Sequence, residues 1–269
     1  MIPIRDDDFG RRGKPWITWA LIAANILAFV YIQGFGADLR TTNGLAVVPA
    51  EIVEGRDIVA ASQRYVDPWT GRIVVSSGLY PTPVPVLMTL LTSIFLHGSL
   101  AHLLGNLLFL GVFGDNVEGT VGRARYLALY LGSGIAGSLA QVLASLATGY
   151  GMYTPMIGAS GAISGVMGAY LALFPRNKVV MLVLGFIPAT LSARLVIGFW
   201  FIMQLWGAFA GWSSGVAYAA HVVGFISGYF VAKGLLPSLI RRARRYGGER
   251  RYGRERRGED GGIVWTVLD

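Results

Sequence analysis

The sequence predicts an all-α, polytopic membrane protein built as a bundle of six transmembrane helices. Three observations carry that prediction. The 269-residue chain is 54% hydrophobic and only 14% charged, with a mean hydropathy of +0.54, whereas a soluble domain carries about 25% charged residues. From Tyr126 to Pro175 there is no Asp, Glu, Lys or Arg, which is room for two crossings of about 20 residues each. Most of the basic residues outside the apolar stretches also fall on one side of the membrane once the crossings are counted.

Composition excludes several classes. With no cysteine there are no disulfides, thiolate nucleophiles or Cys metal sites. The net charge of +8 is local: between Leu236 and Asp269 nine Arg stand against three Glu and two Asp. Beside membrane spans such a cluster reads as a cytoplasmic anchor to anionic lipid, and no nucleic-acid partner is expected.

Taken in order, residues 1–15 are a polar cytoplasmic arm carrying Arg5, Arg11, Arg12, Lys14 and three consecutive Asp. Trp16 to Ile32 is the first crossing, with Trp16 and Trp19 at the interface where aromatics collect. No small-x-small site follows Ile32, which argues against a cleaved signal peptide. Residues 33–85 are a mixed loop with five acidic and four basic side chains, rich in Pro and Gly, with room for short helices. Val86 to Gly114 is uncharged; its first third reads as a loop or re-entrant piece, and the second crossing runs from about Leu100 to Gly114.

Asp115 to Arg125 reads as a charged loop, and Tyr126 to about Ala147 as the third crossing. After a turn at 148–156, Ile157 to Phe174 is the fourth, closed by Pro175-Arg176-Asn177-Lys178. Val179 to Ala193 is apolar but broken by Gly185 and Pro188, and reads as interfacial. Leu195 to Trp212 is the fifth crossing and Gly215 to Leu235 the sixth. The membrane core is therefore residues 16–235, and 236–269 is an Arg-rich cytoplasmic tail.

An even number of crossings puts both termini on one side. Arg123, Arg125, Arg176, Lys178 and the tail fall on that side. The opposite loops hold four basic residues, all in the first loop and outweighed by its five acids. The positive-inside rule then makes the termini cytoplasmic in a multi-pass cell-membrane protein.

This topology places Ser160, His221, His102 and Asn106 within the outer ~10 Å of the bilayer at 1.5 Å rise per residue. Polar groups at such depth are costly and usually face a bundle interior or a water-filled cavity. His102 and Asn106 are four apart and share a helix face. Gly224 and Gly228 lie on a face near His221, and Gly161 and Gly165 do the same beside Ser160. Small-xxx-small faces let two backbones approach, so these glycines read as the spacer that allows a Ser160–His221 hydrogen bond.

A serine hydroxyl becomes nucleophilic when a base takes its proton, and neutral imidazole suits that role near pH 7. No apolar segment contains Asp or Glu, so a hydrolase here runs on a dyad without a carboxylate. An oxyanion would need donors, for which the Asn106 amide, the His102 imidazole and the Ser160 backbone N–H are the candidates. Each residue also has a plainer reading. Ser160 alone suits helix packing, His221 a satisfied core histidine, and His102 with Asn106 polar contacts between helices. The three histidines could also ligate zinc. A binder of transmembrane helices without catalysis is a further alternative. His97 is not assigned to chemistry, and no metal or other cofactor is expected.

The run Gly158-Ala159-Ser160-Gly161, the run His97-Gly98-Ser99 followed by His102 and Asn106, and Ala220-His221 with Gly224 and Gly228 come in a specific order. With Phe-Trp-Phe-x-x-Gln at Phe199 to Gln204, that order resembles the rhomboid intramembrane serine proteases over about residues 16–235. The resemblance implies a six-helix core with a water-filled cavity open to the outside, and cleavage of transmembrane protein substrates near their outer ends. It implies Ser160 as nucleophile, His221 as base, and His102 and Asn106 as oxyanion ligands, with lateral substrate entry between the second and fifth spans. The family often carries a Trp-Arg pair in the first loop; the aligned stretch here reads Pro85-Val86-Leu87-Met88. Ala210 to Val216, with Gly211 and Gly215 as hinges, reads as a cap over the site.

Overall fold

The computed structural model describes residues 2–7, 13–62, 64–66, 71, 73–75, 78–183, 185–209, 215–246, 255–257 and 263–265. Strand β1 (Ile2–Asp6) precedes helix α1 (Trp16–Leu27), which continues as a π-helical turn over Ala28–Ile32. The first loop contains short helices α2 (Leu39–Gly44) and α3 (Pro49–Glu54) and the antiparallel strands β2 (Arg64–Val66) and β3 (Ile73–Val75). Helix α4 (Thr89–Thr92) lies between 3₁₀ turns at Val86–Met88 and Ser93–Phe95.

The long helices follow: α5 (Leu100–Val121), α6 (Arg123–Thr148) and α7 (Ser160–Leu173). Strands β4 (Lys178–Val183) and β5 (Ile187–Ser192) separate α7 from α8 (Ala193–Phe209). Helix α9 (Tyr218–Tyr246) passes through residue 235 without a break, and β6 (Glu255–Arg257) pairs with β7 (Ile263–Trp265) in the tail.

The fold is mostly helical, but it is not all-α. Val179 to Ala193 is a β-hairpin, and β1 from the N-terminal arm adds to it in the order β1-β4-β5. Val179, Val180 and Val183 face Leu191, Thr190 and Ile187 across the ladder, the β-branched composition that suits a pleated surface. Gly185 supplies the positive φ of +86° at the turn. The arm is tied down by Asp6. Its carboxylate accepts from Asn116 Nδ2 at 2.7 Å and from the Tyr170 hydroxyl at 2.5 Å.

Asp115 to Arg125 is likewise not a loop. Helix α5 runs on to Val121, and Gly122 alone, at φ +89°, separates it from α6. The polar residues there find tertiary partners. Glu118, 3% exposed, accepts from Ile17 N at 3.0 Å, from Thr18 N at 2.8 Å and from Thr18 Oγ1 at 2.8 Å. It thereby caps the start of α1, where unpaired amides and the helix dipole both favour a carboxylate.

Helix α7 is the central element. Every residue from Gly161 through Tyr170 is buried, as expected of a helix apolar all round, and α7 packs on α5, α6 and, most extensively, α9. It begins at Ser160 rather than at Ile157, three residues later than the sequence suggests, because Gly158 at φ +134° cannot continue a helix. Among the described residues, α5 with 22 residues and α6 with 26 are long and apolar enough to cross a membrane. The segments from Trp16 to Ile32 and helices α7 and α8 are apolar but shorter.

Candidate active site

Ser160 is the first residue of α7, presented by a turn that the first loop holds in place. Val47 and Met156 exchange backbone hydrogen bonds at 3.0 and 2.8 Å, Gly158 N donates to Ser93 O at 2.9 Å, and Thr92 Oγ1 donates to Leu45 O at 2.7 Å. The first-turn amides of a helix have no intrahelical carbonyl to bond, so the N–H groups around Ser160 make this end of α7 electropositive. Its carbonyl accepts from Ser164 Oγ at 2.6 Å.

Glycines bring α9 against this helix. A β-carbon on Gly224 would collide with the Gly161 carbonyl, and one on Gly228 with the Gly165 carbonyl. Backbone therefore meets backbone along two turns. Gly161 itself faces Ala220, whose carbonyl would lie 3.7 Å from an added β-carbon. On α6, Gly137 leaves room for the same Ala220 carbonyl, and Gln141 Oε1 accepts from Ala219 N at 3.2 Å.

At this contact His221 Nε2 lies 2.8 Å from Ser160 Oγ. The other ring nitrogen, Nδ1, lies 2.8 Å from Gln204 Oε1 on α8. The Trp200 ring stands over the imidazole, with centroids 6.0 Å apart and planes 35° apart.

His102 and Asn106 lie on α5, whose N-terminus Ser99 caps by accepting from His102 N at 3.1 Å. The point where a β-carbon would sit on Gly158 is 3.2 Å from His102 Nε2 and 3.6 Å from Ser160 Oγ. His102 and Ser160 thus flank one small space that only glycine leaves open. Asn106 is engaged elsewhere, with Nδ2 2.9 Å from His97 Nε2. The fully buried His97 is gripped by Gln33, which accepts from its N–H and donates to its carbonyl, both at 2.9 Å.

The structure thus brings Ser160, His221 and His102 to one place, while Asn106 is bonded to His97, whose ring stands edge-on to that of His102 with centroids 5.2 Å apart. Gln33, His97 and Gln204 escaped the sequence reading as members of this network. The Phe-Trp-Phe-x-x-Gln run was the one available signal for Gln204. Residues 210–214 of the expected cap, with Gly211, lie outside the described residues.

Fold and site together define a mostly helical protein in which a hydroxyl and an imidazole meet between two glycine-packed helices. A family model described as Rhomboid domain matches residues 85–238. Rhomboid protease GluP of Bacillus subtilis is 29% identical over 225 residues, 84% of this chain and 36% of that protein. Mitochondrial Rhomboid protein 1 of Saccharomyces cerevisiae is 30% identical over 159 residues, 58% of this chain and 45% of that protein. The human mitochondrial presenilin-associated rhomboid-like protein is 30% identical over 140 residues, 52% and 35% of the two chains. This chain therefore spans less than half the length of each of these relatives. It belongs to the rhomboid family, and membership supports a membrane location.

Proposed function

We propose that this chain is an intramembrane serine endopeptidase that hydrolyses a peptide bond in or near transmembrane segments of other membrane proteins. The observation that carries the reading is the 2.8 Å contact between Ser160 Oγ and His221 Nε2, within the range for a nucleophile and its base. His221 takes the Ser160 proton as Oγ attacks the scissile carbonyl carbon. The tetrahedral oxyanion forms beside the Ser160 N–H, with His102 and Asn106 as the further donors. Collapse breaks the C–N bond, and the proton on His221 goes to the leaving amine. Water, activated by the same imidazole, then hydrolyses the acyl-enzyme and restores the hydroxyl.

In this reading six helices cross the cell membrane, both termini are cytoplasmic, and the site opens to the extracytoplasmic side. The Arg-rich tail rests on anionic lipid. The glycine contacts between α7 and α9 support the dyad, because no bulkier pair would let the two side chains meet. The relative named a protease supports the activity. The test is cleavage of a model single-span substrate in liposomes by purified wild type and Ser160→Ala. The variant is expected to stay folded and lose cleavage, and a serine-directed phosphonate should label only the wild type. Undiminished cleavage by Ser160→Ala rejects the reading.

A further inference from the structure

We infer that Gln204 is a positioning residue that holds His221 in the tautomer able to accept the Ser160 proton; this rests on the protease reading above. A neutral imidazole carries one N–H, and the nitrogen that bears it is set by the partner of the other nitrogen. His221 meets Ser160 through Nε2 and Gln204 through Nδ1. If the proton sat on Nε2, the ring would donate to Ser160 Oγ and could not act as its base.

The orientation of the Gln204 amide decides the matter, and the Trp200 carbonyl favours one orientation over the other. Gln204 Nε2 donates to the Trp200 carbonyl one turn back at 3.5 Å. A carbonyl oxygen can only accept, so the amide nitrogen faces Trp200 and Oε1 is left facing Nδ1. An amide oxygen in turn can only accept, so Nδ1 carries the proton and Nε2 presents its lone pair to the serine. The indole of Trp200 also packs against the ring of His221, with centroids 6.0 Å apart, so the same residue contacts both the imidazole and the amide. When Nε2 takes the proton, Oε1 still accepts from Nδ1–H, and its negative end faces the new cation. No Asp or Glu occurs in the apolar segments, and a neutral amide takes over the orienting task without bringing a charge into the bundle.

The protein has three histidines, so 15N-histidine labelling in bilayers gives few enough ring signals to assign that of His221 by its loss in His221→Ala. Wild type should show Nδ1 protonated and Nε2 unprotonated at His221. Gln204→Leu keeps the bulk and removes the acceptor; it should mix or reverse the tautomers and lower kcat roughly tenfold with KM unchanged. Gln204→Glu, which restores an acceptor at the same place, should recover the Nδ1–H signal and most of kcat. A wild-type signal with the proton on Nε2, or wild-type kcat in Gln204→Leu, overturns the inference. The wild-type nitrogen shifts answer the question even if Gln204→Leu misfolds. Cleavage that survives Ser160→Ala would defeat the protease reading instead, a result these shifts do not depend on.

Discussion

The carbonyl oxygen of Gly165 occupies the place where a β-carbon of residue 228 would have to sit. One turn away, Gly161 and Gly224 stand in the same relation. Helices α7 and α9 are therefore as close as two backbones can be, at the level where Ser160 and His221 meet. Gly228→Val should push them apart. Overpacking of this kind costs about 1–3 kcal/mol, and the 2.8 Å hydroxyl–imidazole contact would open beyond hydrogen-bonding range. A lower thermal midpoint in detergent and at least a tenfold loss of cleavage, on the order of the ~1.4 kcal/mol that a factor of ten represents, are expected together. Gly234→Ala, also within α9 but where nothing lies within 4 Å of the added carbon, is the control: it should leave cleavage at the wild-type rate and hold or raise the midpoint, since Ala suits a helix interior better than Gly.

Gly158→Ala should act on the site with little effect on the bundle. The residue sits at φ +134°, and the new β-carbon would lie 3.0 Å from His102 Cε1. The backbone strain is worth about 1–3 kcal/mol, and the methyl fills the space shared by His102 and Ser160. A kcat well below wild type with helical content preserved by circular dichroism is the expected result.

Glu118→Ala separates scaffold from chemistry. It leaves the Ile17 and Thr18 donors without their carboxylate, a loss of about 1.5–3 kcal/mol for hydrogen bonds to a charged group. The thermal midpoint should fall. The rate of the protein that remains folded, normalised by active-site titration, should stay at the wild-type value.

Glu51 in the first loop gives a pH signature. It is 1% exposed, and one of its oxygens has no hydrogen-bond partner among the described residues. Burial raises its pKa above the usual 4.5. A carboxyl with a raised folded-state pKa favours the fold when protonated, so its contribution is fully present below the unfolded value and is lost as pH rises through the folded one. Stability measured by denaturant titration should therefore decline from pH 4 upward by an amount that Glu51→Gln removes. An unchanged slope in the variant would assign that pH dependence to other groups.

The long helices were legible because α5, α6 and α7 are apolar over most of their length and glycine or charge marks their ends. The hairpin was not, because Gly185 and Pro188 read as breaks in an apolar interfacial piece, and the strand that pairs with it, β1, lies at the far N-terminus of the chain. The continuation of α5 past Gly114 was hidden for a related reason. Asp115 and Glu118 look like loop residues locally, and only the distant Thr18 makes a buried Glu118 acceptable. At the site, Ser160 and His221 are marked by small residues beside them, and His102 by its spacing to Asn106. Gln33 is not, since its partner His97 is 64 positions away. Gln204 was visible as a letter in an aromatic run, but its orientation depends on a carbonyl that sequence does not position.

Helix α7 has 14 residues, a rise of about 21 Å, whereas the hydrocarbon layer is about 30 Å thick. Placed in the membrane as proposed, with its far end anchored through Tyr170 to the Asp6 carboxylate on β1, it would be too short to lift its first residue to the outer lipid surface. In the membrane setting proposed above, the reagent is fixed at the bottom of a shaft, and the target must be lowered to it. A polypeptide can make that descent only where it gives up its own coil and stretches. Selection among substrates would then turn less on side-chain lettering than on how readily a given stretch lets go of its helical shape.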